Sequence, residues 1–148
     1  MRAMMKKVNL MIGGLLLASL LAAPAHASER APQIVIDGLL AYKADGAGAA
    51  VATWLKGSAL SSQKTAEQLE QQLQKVGRTC GQYRGYETVH VNPFSDSARF
   101  VYMQLNYGAC PLFGRFVVYN TGRSWVLTQV NFNANPEKVL PQRLLTSE

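Results

Sequence analysis

The chain is short of the residues that build most catalytic and metal centres. It has two cysteines and two histidines in 148 residues, and charged side chains make up only 16%. One histidine, His26, falls in an N-terminal stretch read below as removed on export, which leaves His90 alone in the remainder. Two Cys and one His are a thin ligand set for a closed zinc site. There is no CxxC pair, no HExxH and no phosphate-cradling glycine loop. Gly46-Ala47-Gly48 lacks the strand-turn-helix setting of a dinucleotide fingerprint. A Ser-His-Asp hydrolase would have to use His90, and Glu87 and Asp96 stand near it at no spacing that defines a site. No paired-carboxylate motif occurs. Sequence therefore assigns no catalytic residue, no metal and no cofactor.

What is present at the start is an export signal. Arg2, Lys6 and Lys7 precede an apolar stretch from Val8 to Ala23, followed by Pro24 and Ala25-His26-Ala27. That order is a charged region, an apolar region and a small-x-small cleavage site. The alternative is a retained anchor, but the stretch is Gly-rich and shorter than the ~20 apolar residues a spanning helix prefers. No Cys follows it for lipid attachment. The expected division is a signal peptide at 1–27 and a single domain at 28–148, with the Ala-rich signal pointing to a bacterial periplasm and no membrane span after cleavage. Removing the signal takes three of fifteen Lys and Arg, leaving twelve against nine Asp and Glu. These charges are scattered, and phosphate binding needs clustered cations, which argues against a nucleic-acid role.

Cys80 and Cys110, an even pair in an oxidising compartment, read as one disulfide; two buried free thiols are the alternative. Ile36, Leu40, Ala44, Ala47, Val51 and Trp54 recur at helical spacing, with Asp37 as a candidate cap and Gly57-Ser58 as the end. Gly38, Gly46 and Gly48 weaken that helix or let another element approach closely. A second helix runs from Lys64 to Val76, capped by Ser61 or Ser62 and closed by Gly77. Period-two alternation then marks strands at 82–91, 98–107, 112–119 and 124–132, separated by turns at 92–97, 108–111 and 120–123. Asn135-Pro136-Glu137 starts one last short turn. The expected fold is α+β: two N-terminal helices packed on a four-stranded antiparallel meander sheet with one disulfide. In such a meander, residue numbers across the first pair of strands sum to about 189, which sets Cys80 beside Cys110. Register and bridge agree without either being assumed in deriving the other.

Alternation sorts the strands into two faces. Val89, Val91, Val101, Met103, Leu105, Leu112, Phe116 and Val118 form an apolar face for the helices. Tyr86, Thr88, His90, Phe100, Tyr102, Gln104, Phe113, Arg115, Val117 and Tyr119 form a mixed face. Parity leaves two choices for the fourth strand: Trp125 and Leu127 on the apolar face, or Val126, Thr128 and Val130. Five aromatics on a solvent-facing surface suit a partner, a second subunit or a ligand. Tyrosine also serves as an ordinary strand residue that tolerates water. Candidate binding residues are Tyr86, His90, Phe100, Tyr102, Phe113, Arg115 and Tyr119, with Arg115 suited to an anion or to a cation–π contact.

The order of elements, with Trp54-Leu55-Lys56-Gly57 closing a helix, Cys110-Pro111-Leu112-Phe113-Gly114-Arg115-Phe116 opening a strand and Asn131-Phe132-Asn133-Ala134-Asn135-Pro136 ending the meander, resembles small secreted bacterial proteins of the NTF2-like (cystatin-like) type. That resemblance implies helices on a curved sheet able to hold a pocket. The enzymes of that superfamily use Asp, His or Tyr in the cone, and no such set is recognisable here. The functional expectation is a non-catalytic periplasmic binding or accessory protein acting through the mixed face, with a homodimer or an envelope protein as partner. One alternative is a small enzyme or hydrophobic-ligand carrier with a pocket near Trp54, His90, Tyr102 and Arg115. The other is a hydrolase inhibitor or immunity protein presenting the loop from Tyr107 to Phe113, where preorganisation lowers the cost of binding.

Overall fold

A computed structural model of the protein describes residues 30–146; the expected signal peptide at 1–27 lies outside them. Among the described residues the order is α1 (Gln33–Asp45), α2 (Ala47–Trp54), α3 (Gln63–Cys80), β1 (Tyr83–Ser95), β2 (Ala98–Tyr107), β3 (Pro111–Asn120) and β4 (Trp125–Asn133). Two single 3₁₀ turns, Pro136–Lys138 and Gln142–Leu144, follow β4. The fold is α+β, with three helices packed on an antiparallel sheet of order β1-β2-β3-β4. Cys80, the last residue of α3, and Cys110, at the end of the β2–β3 turn, form a disulfide, their Cα atoms 5.3 Å apart.

The expected first helix is two helices. Gly46, at φ 92°, closes α1 and opens α2; a side chain would strain that backbone. Helix α1 also starts earlier than expected, at Gln33 after Pro32, so Asp37 is interior and accepts a hydrogen bond from Gln33 Nε2 at 2.7 Å instead of capping. Helix α3 begins as expected, with Ser62 Oγ accepting from Thr65 N at 3.2 Å. It does not stop at Gly77. It continues to Cys80, and Gly81 at φ 84° makes the turn into β1. Strand β1 likewise outruns its expected end: it reaches Ser95, and only Asp96 and Ser97 form the hairpin turn.

The core lies between helices and sheet. Trp54 is its centre, fully buried, with its ring 5.1 Å from Phe116 and 5.7 Å from Phe132. Its indole donates to Val35 O at 3.1 Å, which removes the cost of burying an N–H. Gly38 makes this possible, because a Cβ there would stand 2.0 Å from Trp54 Nε1. Gly114 does the same for Phe132, whose ring comes within 2.9 Å of where a Cβ would be. Ser58, buried after α2, donates to Leu127 O and accepts from Leu60 N, and so ties the α2–α3 connection to β4.

Bulges decide which residues face the core. In β4, Val117 and Val118 of β3 pair with Gln129 and Leu127, so Thr128 is unmatched. Leu127 and Phe132, of opposite parity, are therefore both buried in the core. Neither single parity describes the strand. In β1, Arg84, Val89 and Phe94 are the unmatched residues. Thr88 pairs with core-facing Met103, Tyr86 with core-facing Leu105, and His90 with Tyr102 on the other face. The expected grouping of Tyr86, Thr88 and His90 on one face is thus corrected: Tyr86 and Thr88 lie on the helix side, and Tyr86 packs against the core. Val89, expected in the core, is exposed at the bulge.

Candidate functional site

The outer face, opposite the helices, is built from alternate residues of all four strands. Phe100, Tyr102 and Gln104 of β2 oppose Asn92, His90 and Glu87 of β1, and Val117, Arg115 and Phe113 of β3. Six of the seven candidate binding residues share this face: His90, Phe100, Tyr102, Phe113, Arg115 and Tyr119. The seventh, Tyr86, is on the other side.

This face is not fully open. After β4 the chain turns back across it. Asn135 Oδ1 accepts from Glu137 N at 3.0 Å and Pro136 occupies the first position of the 3₁₀ turn, which together reverse the chain. Val139 and Leu140 then pack with Tyr102 into a second, smaller apolar cluster, joined by Phe100, Phe113, Leu144 and Leu145. Tyr102 is only 7% exposed as a result. Arg115 stands opposite Tyr102 on β3, and its Nε is buried with no hydrogen-bond partner among the described residues. Among the described residues a cation–π contact is made by a different arginine: the Arg99 guanidinium lies 4.4 Å from the centre of the Trp125 ring.

The C-terminal segment leaves one corner uncovered, at the β1–β2 hairpin. Phe94, placed in a turn by its sequence, is the bulged residue next to Ser95 and is 72% exposed. Its ring meets Phe100 edge-on at 5.4 Å. Tyr119, opposite Ala98, is 45% exposed on the adjoining strand. His90 borders the same area, its ring 6.4 Å from Tyr102. Nothing in this corner forms a nucleophile-base pair, and among the described residues no three His, Cys, Asp or Glu gather as a metal site.

A different cleft, of about 590 Å³, lies on the helix side, where the start of α1 meets the edge strand β1. Arg30, Gln33 and Ile36 line one wall; Tyr86, Thr88 and Val91 line the other. The four residues expected around a central pocket do not line one cavity: Trp54 is in the packed core, whereas His90, Tyr102 and Arg115 stand in one row across β1, β2 and β3 on the outer face, and of the four only His90 also lines the cleft.

The loop from Tyr107 to Phe113 is held at its base by the disulfide and by Ala109 N donating to Cys80 O at 2.7 Å. Tyr107 and Leu112 of this loop are both buried in the main core, while Phe113 lies on the outer face. Tyr107 belongs to a cluster that alternation did not reveal. Tyr42 stacks on Tyr83 at 4.2 Å, and the Tyr42 and Tyr107 hydroxyls are hydrogen-bonded at 3.0 Å. Burial pushes all three hydroxyls above the ordinary tyrosine range.

Among the described residues no helix is long and apolar enough to cross a membrane. Comparison of the chain with protein-family models, curated proteins and solved structures returned no match.

Proposed function

We propose that this is an exported, non-catalytic binding or accessory protein of the bacterial periplasm, which engages a protein partner through the uncovered corner of its outer sheet face. The observation that carries the reading is the contrast within that face. The chain's own C-terminal segment buries Tyr102, while Phe94 and Tyr119 beside it stay 72% and 45% exposed. Large aromatics grouped at a surface favour an interface, since they bring much apolar area at low entropic cost. Export rests on the charged, apolar and small-x-small order of residues 1–27, and the disulfide fits an oxidising compartment. The NTF2-like kinship proposed from element order is compatible with helices gathered on one side of an antiparallel sheet.

A second copy is the first partner to test. Sedimentation of the mature domain across a wide concentration range is expected to show a reversible dimer. The double substitution Phe94→Ser, Tyr119→Ser is expected to shift it to monomer without changing the unfolding midpoint, because both residues are exposed and outside the core. A dimer that survives both substitutions places the interface elsewhere. A strict monomer removes the homodimer and leaves an envelope protein as the partner of the same corner.

A further inference from the structure

The cleft between α1 and β1 is separate from the outer face, and the packing of the fold does not explain it. Its floor is apolar: Ile36 from the helix and Val91 from the strand, with Val89 bulged out at the side. Its ionisable lining groups are Arg30, His90 and the Tyr86 phenol, and none of its lining residues is acidic. Among the described residues the nearest acids by sequence, Asp37 and Glu87, each accept a hydrogen bond from a glutamine. Asp37 accepts from Gln33 Nε2 at 2.7 Å, and Glu87 accepts from Gln104 Nε2 at 3.2 Å on the other side of the sheet. Thr88 and Gln33 add neutral polar groups to the two walls. The volume, about 590 Å³, is within the range of small-molecule sites, roughly 300–1,000 Å³.

We propose that this cleft binds a small anionic amphiphile, its hydrocarbon body against Ile36, Val89 and Val91 and its carboxylate or other anionic head at Arg30. The shape of the cleft and the sign of its charge agree on that chemistry. An apolar floor alone would accept any greasy molecule, and the guanidinium of Arg30 at the wall selects among them for a negative head group. An added peptide strand is the competing occupant of a sheet edge. The bulges at Arg84, Val89 and Phe94 work against it, because they divide the β1 edge into short stretches that do not match a regular strand.

The test is titration of isotope-labelled mature protein with decanoate and, separately, with the neutral amphiphile octyl glucoside, followed by proton–nitrogen correlation spectra. Decanoate is expected to shift the amides of Ile36, Thr88 and Val91 and to leave those of Phe94 and Tyr119 in place. Arg30→Gln, at an exposed residue outside the core, is expected to weaken decanoate roughly tenfold, the effect of losing one charge-assisted contact, and to leave octyl glucoside unchanged. Val89→Asp, also exposed, is expected to abolish decanoate binding with the spectrum of the core intact. The proposal is overturned by any of three results. These are no shifts at the cleft with decanoate, equal decanoate affinity in Arg30→Gln, or binding of a strand-forming peptide where decanoate fails. Phe94→Ser is expected to leave all these titrations unchanged, which separates failure of this site from failure of the outer corner.

Discussion

Single residues in this fold carry loads that their type does not announce. Gly38 and Gly77 both sit inside helices, where glycine costs roughly 1 kcal/mol relative to alanine. Their surroundings give them opposite roles. A methyl group on Gly38 would drive into the Trp54 indole, whereas nothing lies within 4 Å of the corresponding point on Gly77. Gly38→Ala is expected to destabilise by about 1–3 kcal/mol through overpacking, and Gly77→Ala to stabilise by about 0.5–1 kcal/mol. Urea midpoints of the two variants, moving in opposite directions, are the check. The tyrosine cluster makes a prediction of a different kind. Burial raises the folded-state pKa of Tyr42, Tyr83 and Tyr107 above the ordinary value of 10.0. Below that value both folded and unfolded chains keep the protons and stability is unaffected. Above it the unfolded chain releases protons that the folded chain retains, so stability falls as pH rises. Denaturation midpoints measured from pH 8 upward are expected to hold level and then drop past about 10. Tyr107→Phe is expected to flatten that drop, since it removes one titrating group and keeps the ring. A midpoint that stays level in strong alkali would show that these hydroxyls ionise normally.

At the scale of elements, the sequence read well where one rule governed a stretch and badly where two competed. The meander and the Cys80–Cys110 bridge followed from turn chemistry and strand spacing, because each hairpin is local. Ser62 capping α3 was legible for the same reason. Gly77 misled because glycine ends helices only where the next residues cannot continue. Here Arg78, Thr79 and Cys80 extend α3 until Gly81 supplies the positive φ. Gly46 hid the opposite way: helical spacing continued through it, yet its backbone splits α1 from α2. The face assignments failed at bulges. Each unmatched residue reverses parity, and neither Val89 nor Thr128 carries a marker of its role in its side chain. The larger omission was the C-terminal segment. Its paired apolar residues, Val139-Leu140 and Leu144-Leu145, were the available signal that the mixed face had a cover in the same chain. Because that cover forms a cluster apart from the main core, it is expected to detach locally. Val139→Asp with Leu140→Asp is expected to expose Tyr102 and Phe113, increase binding of a hydrophobic dye and cost about 2 kcal/mol. The near-ultraviolet dichroism of the Trp54 cluster is expected to persist. Loss of that signal together with the cover would make the segment part of one cooperative core.

For the whole molecule, the main core lies on the helix side of the sheet and the exposed aromatics Phe94 and Tyr119 lie apart from it. Helices, the helix-facing side of the sheet and the disulfide form one body; for a bridge closing a loop of 30 residues the chain-entropy model gives roughly 3–4 kcal/mol. The outer face is half sealed by the C-terminal segment, and the sheet edge at β1 is broken by bulges. The exposed aromatics beside that cover are Phe94 and Tyr119, with Phe100 partly buried between Phe94 and the C-terminal cluster. Six of the seven candidate residues share one face, but their exposure depends on a tertiary contact that no local pattern encodes. Leu40 offers a matched control, since it is a 52% exposed apolar residue on α1, away from those aromatics. The most direct measurement is site-specific photocrosslinking of the full chain in the bacterial envelope, with the crosslinker placed in turn at Phe94, Tyr119 and Leu40. One discrete adduct is expected, formed from positions 94 and 119 and absent from position 40. Equal adducts from all three positions, or an adduct from position 40 alone, would contradict the proposed interface.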